Sequence, residues 1–155
     1  MGTRSIVLVK KSDNGKTTVH RLYKHWDGYP SDNLAMIADA IKNSNCNLDA
    51  FIKSCQAYYE REDMVEETFN NETFDPEMLG NQGDLEWIYT VDLDAKQVKV
   101  FGGGYTGKVP QYAYKQGTVN PLNYADGLIK EYQEHERQRI QDAMTQIKTL
   151  NFKLN

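Results

Sequence analysis

The chain has 155 residues, a formal charge of −4 and a hydrophobic fraction of 39%. That length suffices for one core that buries roughly two-thirds of the surface exposed by the unfolded chain, so neither a disulfide nor a metal is required to hold it together. The apolar residues fall in periodic segments, which excludes a disordered chain; the acidity disfavours direct nucleic-acid binding; and the longest apolar run, Ile6–Val9, is far short of the ~20 residues of a membrane-spanning helix.

The charge is unevenly distributed. Residues 60–86 hold ten acidic side chains against Arg61 alone, whereas residues 1–24 hold Arg4, Lys10, Lys11, Lys16, Arg21 and Lys24 against Asp13. Two faces of opposite sign are expected. Cys46 and Cys55 stand nine positions apart, and Cys55 lies on the apolar side of a helical pattern, so it reads as a buried free thiol rather than a ligand or bridge.

In chain order, the β-branched run at Ser5–Val9 and the Asn14-Gly15 turn predict strands over about 4–11 and 17–26 joined as a hairpin. Alternation in the second strand puts Val19, Arg21, Tyr23 and His25 on one face and His20, Leu22, Lys24 and Trp26 on the other. Pro30 ends the strand pattern. Leu34, Ile37, Ala38 and Ile41 then predict a helix over about 32–43, with Ser31 or Asp32 as its cap. A cap at Asn47 opens a second helix to about Arg61, with Phe51, Ile52, Cys55, Tyr58 and Tyr59 as its stripe. Residues 62–84 read as an acidic, partly irregular insertion, anchored by Phe69, Phe74, Met78 and Leu79.

A second hairpin is predicted from Leu85–Asp92 and Gln97–Phe101, and a helix from about 122 to 150. The expectation is therefore a single α+β domain over residues 1–155: an antiparallel sheet of about four strands in two hairpins, with a helical hairpin and a long C-terminal helix packed on it. A helix of ~28 residues would be ~42 Å long, more than such a domain covers, and so offers a seam for homo-oligomers.

Two motifs invite chemistry. Gly102-Gly103-Gly104-Tyr105-Thr106-Gly107-Lys108 has the spacing of a phosphate loop, but Val109 and Pro110 stand where a magnesium-binding hydroxyl and a helix N-terminus are required. Tyr23-Lys24-His25-Trp26-Asp27-Gly28-Tyr29-Pro30 concentrates rings, a carboxylate and two turn formers. A ligand-binding reading of this corner uses Arg4, Tyr23, His25, Trp26, Asp27 and Tyr29, with Arg4 as the anion contact, the two aromatic rings Trp26 and Tyr29 as a stacking platform for a nucleotide, and His25 with Asp27 as an acid–base pair of a weak hydrolase. No serine or cysteine nucleophile stands near them in the chain, so bracing a strand-to-helix joint is the simpler role. No catalytic residue is assigned, no cofactor is expected, and His20, His25 and His135 are too dispersed for a metal.

The start Met1-Gly2-Thr3-Arg4-Ser5, the His25-Trp26-Asp27-Gly28-Tyr29-Pro30 turn and the Glu86-Trp87-Ile88-Tyr89 strand together resemble a group of small proteins from bacteriophages, bacteria and large DNA viruses. The resemblance extends over about a third of the chain, and Ser31-Asp32-Asn33 departs from the glycine-containing segment usual after the proline in that group. The resemblance implies a phage-type accessory protein; the short apolar runs and a start without signal-peptide pattern lead to the expectation of a cytoplasmic location, the host cytoplasm if phage-encoded. It carries no catalytic residues with it. Combined with the charge asymmetry, it gives the leading expectation of a non-enzymatic protein that binds a partner with a basic surface through Glu60, Glu62, Asp63, Glu66, Glu67 and Glu72, inhibiting a host defence or other nucleic-acid-handling system.

Overall fold

A computed structural model describes residues 3–60, 64–79, 85–102, 114 and 117–155. Its centre is a six-stranded sheet. Strand β1 (Ser5–Asp13) and strand β2 (Lys16–Lys24) form the expected hairpin across Asn14-Gly15, both with positive φ, with Ser5 opposite Lys24 and Asp13 opposite Lys16. An additional edge strand, β3 (Val65–Phe69), lies antiparallel to β2 within the segment that the sequence marks as an irregular insertion. Strands β4 (Trp87–Asp92) and β5 (Gln97–Gly102) form the second hairpin, and a short β6 (Lys153–Leu154) closes the far side. The strand order is β3-β2-β1-β4-β5-β6.

The α+β class holds, but the sheet is larger than four strands and is mixed. Strand β1 pairs in parallel with β4, Ser5 beside Trp87 and Lys10 beside Asp92, and β6 pairs in parallel with the start of β5. Parallel neighbours require a crossover, and the chain between β2 and β4, with its two helices, provides it. Pro76–Leu79 is a single 3₁₀ turn.

Helix α1 (Pro30–Ser44) begins two residues earlier than the spacing predicts, with Tyr29 at the N-cap and Pro30 as its first residue. Proline suits that position because its fixed φ is helical and its missing N–H would have had no partner there. Neither Ser31 nor Asp32 is the cap: Ser31 is inside the helix and buried, with its hydroxyl unpartnered, and Asp32 binds basic side chains. Helix α2 (Leu48–Tyr59) has the expected cap, the Asn47 side chain accepting from the Ala50 N–H at 2.9 Å.

The C-terminal helix is broken. A short helix α3 (Asn123–Asp126) gives way at Gly127, Ile129 is extended, and helix α4 runs Lys130–Thr149. Gln133 donates to the Leu128 carbonyl at 2.8 Å and Arg137 binds the Asp126 carboxylate, stapling the break. A 20-residue helix spans about 30 Å, and its Ile140, Ala143 and Ile147 are buried against the core.

The two faces of the sheet have separate cores. Val7, Val9, Leu22, Trp87, Tyr89, Val91, Val98 and Val100 pack under the helices, while Ile6, Leu8, Val19, Tyr23, Ile88 and Phe101 pack under Met78, Leu79 and Leu85. Residues Ile6–Val9 are therefore buried on both sides, which is why that strand reads as a continuous apolar run instead of an alternation. Cys55 is buried and Cys46 half-buried, both free. No helix among the described residues is long and apolar enough to cross a membrane.

Candidate functional site

The corner that follows β2 is built on a buried lysine. Lys24 is the last residue of β2, opposite Ser5, and only 1% of it is exposed. Its ammonium donates to the Asp27 carbonyl at 3.1 Å and to Asn33 Oδ1 at 2.8 Å, lies 3.6 Å from the Asp32 carboxylate and sits over the Tyr59 ring at 4.9 Å. Burial pulls its pKa below the ordinary lysine value, while Asp32 and Asp27 act against that shift. Asn33 in turn donates to Ser5 Oγ at 2.8 Å, so one buried polar chain joins β2, α1 and β1.

The backbone of the corner is fixed as tightly. Asp27 has a φ of 55°, which an aspartate tolerates better than most residues. The Gly28 N–H donates to the Thr3 carbonyl at 2.8 Å, and its carbonyl accepts from the fully buried Tyr89 hydroxyl at 2.9 Å. A Cβ on Gly28 would stand 2.6 Å from both Ser5 Cβ and the Thr3 carbonyl oxygen, so only glycine fits this approach. The Trp26 N–H donates to the Tyr59 hydroxyl at 3.0 Å, linking the corner to the end of α2.

The six residues singled out for a ligand are brought together only in part. The Tyr23 hydroxyl and His25 Nδ1 are 2.9 Å apart, and His25 meets Trp26 edge to face at 5.0 Å. The Tyr29 hydroxyl donates to the Asp27 carboxylate at 3.2 Å. No hydrogen bond or ion pair among the described residues joins His25 to Asp27, the pairing an acid–base role requires. Arg4 contributes its carbonyl, which accepts from the Glu86 and Trp87 N–H groups at 3.0 and 3.4 Å, closing the end of the β1–β4 pair.

Residues the sequence did not single out continue this corner. The Tyr29 ring stacks on Tyr124 of α3, 5.4 Å between centroids and 3° between planes, and Trp87 meets Tyr124 edge to face at 6.1 Å. Arg139 of α4 binds Asp32 at 3.0 Å and approaches Glu136 at 3.7 Å, clamping α4 onto α1. Burial, reinforced by Asp27 and Asp32, pushes the Tyr29 phenol well above its ordinary pKa. The paired rings stand far apart in the chain, and no local spacing announces them.

The acidic set divides differently. Glu66 and Glu67 lie exposed on edge strand β3: Glu67 binds Arg21 at 2.8 Å, and Glu66 lies 3.5 Å from His20. Glu60 ends α2 with a φ of 53°, its N–H donating to the Gln56 carbonyl at 3.1 Å. Glu72 is exposed and receives Lys10 on its carbonyl at 3.3 Å. Glu62 and Asp63 lie outside the described residues, as does the Gly103–Lys108 part of the glycine-rich stretch. Among the described residues no cluster of three or more histidine, cysteine or acidic side chains is placed to hold a metal.

No family model matches the chain, and no curated protein or solved structure is significantly similar to it.

Proposed function

We propose that this chain is a phage-type accessory protein that acts by binding: its acidic edge at β3 occupies a basic surface of a protein partner, and that partner belongs to a host defence or other nucleic-acid-handling system. The observation that carries this reading is the position of β3. It is the outermost strand of the sheet, and Glu66, Glu67 and Thr68 are exposed along it. An edge strand is a template for further pairing. Two adjacent glutamates make pairing with a second copy unfavourable, because like charges would face each other, and favour a strand or surface that carries lysine and arginine. Basic surfaces of that kind are the ones that handle nucleic acids. The host-defence part of the reading rests on the sequence resemblance.

The test is capture from a lysate of the organism that encodes the chain, with quantitative mass spectrometry. Wild type should enrich a basic protein at least tenfold over Glu66→Lys/Glu72→Lys. Equal enrichment by both would overturn the reading.

A second reading, self-association through the start of α4, is favoured by Ile129 and Tyr132, which are 63% and 54% exposed. It requires a dimer mass in light scattering that Ile129→Ser/Tyr132→Ser returns to the monomer value. A monomer mass for wild type ends it.

A further inference from the structure

Beside the corner, at the end of the sheet where β4 begins and β5 finishes, lies an open cleft of about 470 Å³. That falls within the roughly 300–1,000 Å³ of small-molecule sites. Its floor and wall are Trp87, nearly fully buried, and the half-buried Tyr124, whose other neighbour is the stacked Tyr29 ring. Glu86, Asn123 and Thr3 supply polar groups at its rim.

These groups differ from those of the corner in one respect. Among the described residues no hydrogen bond or ion pair joins the carboxylate of Glu86, the side-chain amide of Asn123 or the hydroxyl of Tyr124 to another side chain. The backbone beneath them is closely packed: Gly102 has a φ of 113°, and a Cβ there would stand 2.3 Å from the Glu86 carbonyl oxygen.

Of the cleft's described lining side chains only Glu86 carries a charge at neutral pH. Glu86 lines the cleft, and Glu136 and Asp27 are close enough to Tyr124 to add to the effect of burial on its phenol. Arg139, which opposes this effect on Tyr124, is bound to Asp32 at 3.0 Å and lies near Glu136, whose Oε2 is buried and unpartnered. A phosphate or carboxylate ligand would meet like charge, whereas an ammonium or guanidinium would meet a carboxylate beside an aromatic ring, an attraction that strengthens as the cation is desolvated.

We propose that this cleft binds a small organic cation, with its charged group on Glu86 and its flat apolar body against Tyr124 and Trp87. The proposal is separate from the acidic edge, since β3 lies at the other side of the sheet from β5.

Isothermal titration with tryptamine, and with indole-3-propionate as a probe of the same ring and opposite charge, tests it. Tryptamine should bind wild type, indole-3-propionate should bind at least tenfold more weakly, and Glu86→Gln should weaken tryptamine at least tenfold with an unchanged Tm. Asn123→Trp, at an exposed rim position, should block tryptamine without unfolding the protein. Absence of tryptamine binding to wild type, equal affinity for the two probes, or full tryptamine affinity in Glu86→Gln overturns the proposal.

Discussion

The corner around Lys24 and the outer edge at β3 are both rich in charge, and they dispose of it in opposite ways. At the corner a lysine is buried and its ammonium is bound by Asp27, Asn33 and Asp32, with Arg139 bracing Asp32 from α4. At the edge Glu66 and Glu67 stay exposed, and their contacts are to single side chains of the neighbouring strand. Polar groups committed to each other hold elements together, and polar groups left facing solvent are available to a partner. The density of unusual residues at 23–30 marks the joint of the fold, while the more ordinary glutamates of β3 line the edge proposed above to bind a partner.

If that contrast is right, damage to the corner should be read in stability and damage to the edge in binding. The largest effect is expected for Lys24→Met, which keeps the packing volume but leaves the Asp27 carbonyl and Asn33 Oδ1 buried without a donor. Urea unfolding should show a loss of about 3 kcal/mol; a loss below about 1 kcal/mol would remove Lys24 from its central place. Gly28→Ala comes next at about 2 kcal/mol, from the forced separation of the corner and the start of β1. A midpoint unchanged from wild type would show that Ser5 and Thr3 simply move aside.

Alkaline titration gives a smaller and more general effect. Burial raises the phenols of Tyr29, Tyr89 and Tyr124 above their ordinary value of 10.0, and pushes the Cys55 thiol up to about 12. In the unfolded chain these groups release protons first, so their contribution is complete below their ordinary values and is lost as pH rises through the folded ones. Lys24 has the opposite sign: burial lowers its pKa, so its contribution rises with pH until its ordinary value of 10.5 is passed. Above that pH only the tyrosine and thiol loss remains. Phenolate absorbance and far-UV circular dichroism should therefore change together in one late, cooperative step. Independent phenolate titration with an intact dichroism signal would contradict this. The smallest stability effect is expected at the edge, where Glu66→Lys/Glu72→Lys should shift the unfolding free energy by no more than about 0.5 kcal/mol. A loss of several kcal/mol would make the edge part of the framework.

How far these features can be read in advance depends on the range over which they are encoded. The hairpin at Asn14-Gly15, the hairpin around Leu93–Lys96, α1 and α2 are local patterns of spacing, and they stand within about two residues of where the periodicity puts them, although Tyr29 rather than Ser31 or Asp32 caps α1. Strand β3 is not local: Val65-Glu66-Glu67-Thr68-Phe69 has two adjacent acids that mask its alternation, and it becomes a strand through the open edge of β2 and the ion pair from Arg21. The parallel β1–β4 pairing depends on residues more than eighty positions apart, as does the contact of Tyr124 with Tyr29. The role of Lys24 is illegible in the sequence for a simpler reason. A lysine in a strand reads as a surface residue, and only the convergence of Asp27, Asp32, Asn33 and Tyr59 from two later helices and the turn makes its burial tolerable.

Partner capture compared across wild type, His25→Ala at the corner and Glu66→Lys/Glu72→Lys at the edge, each at matched folded concentration, tests the division between joint and edge most directly. Retention by the corner variant with at least tenfold loss by the edge variant is the expected result, and retention by the edge variant with loss at His25→Ala would contradict it.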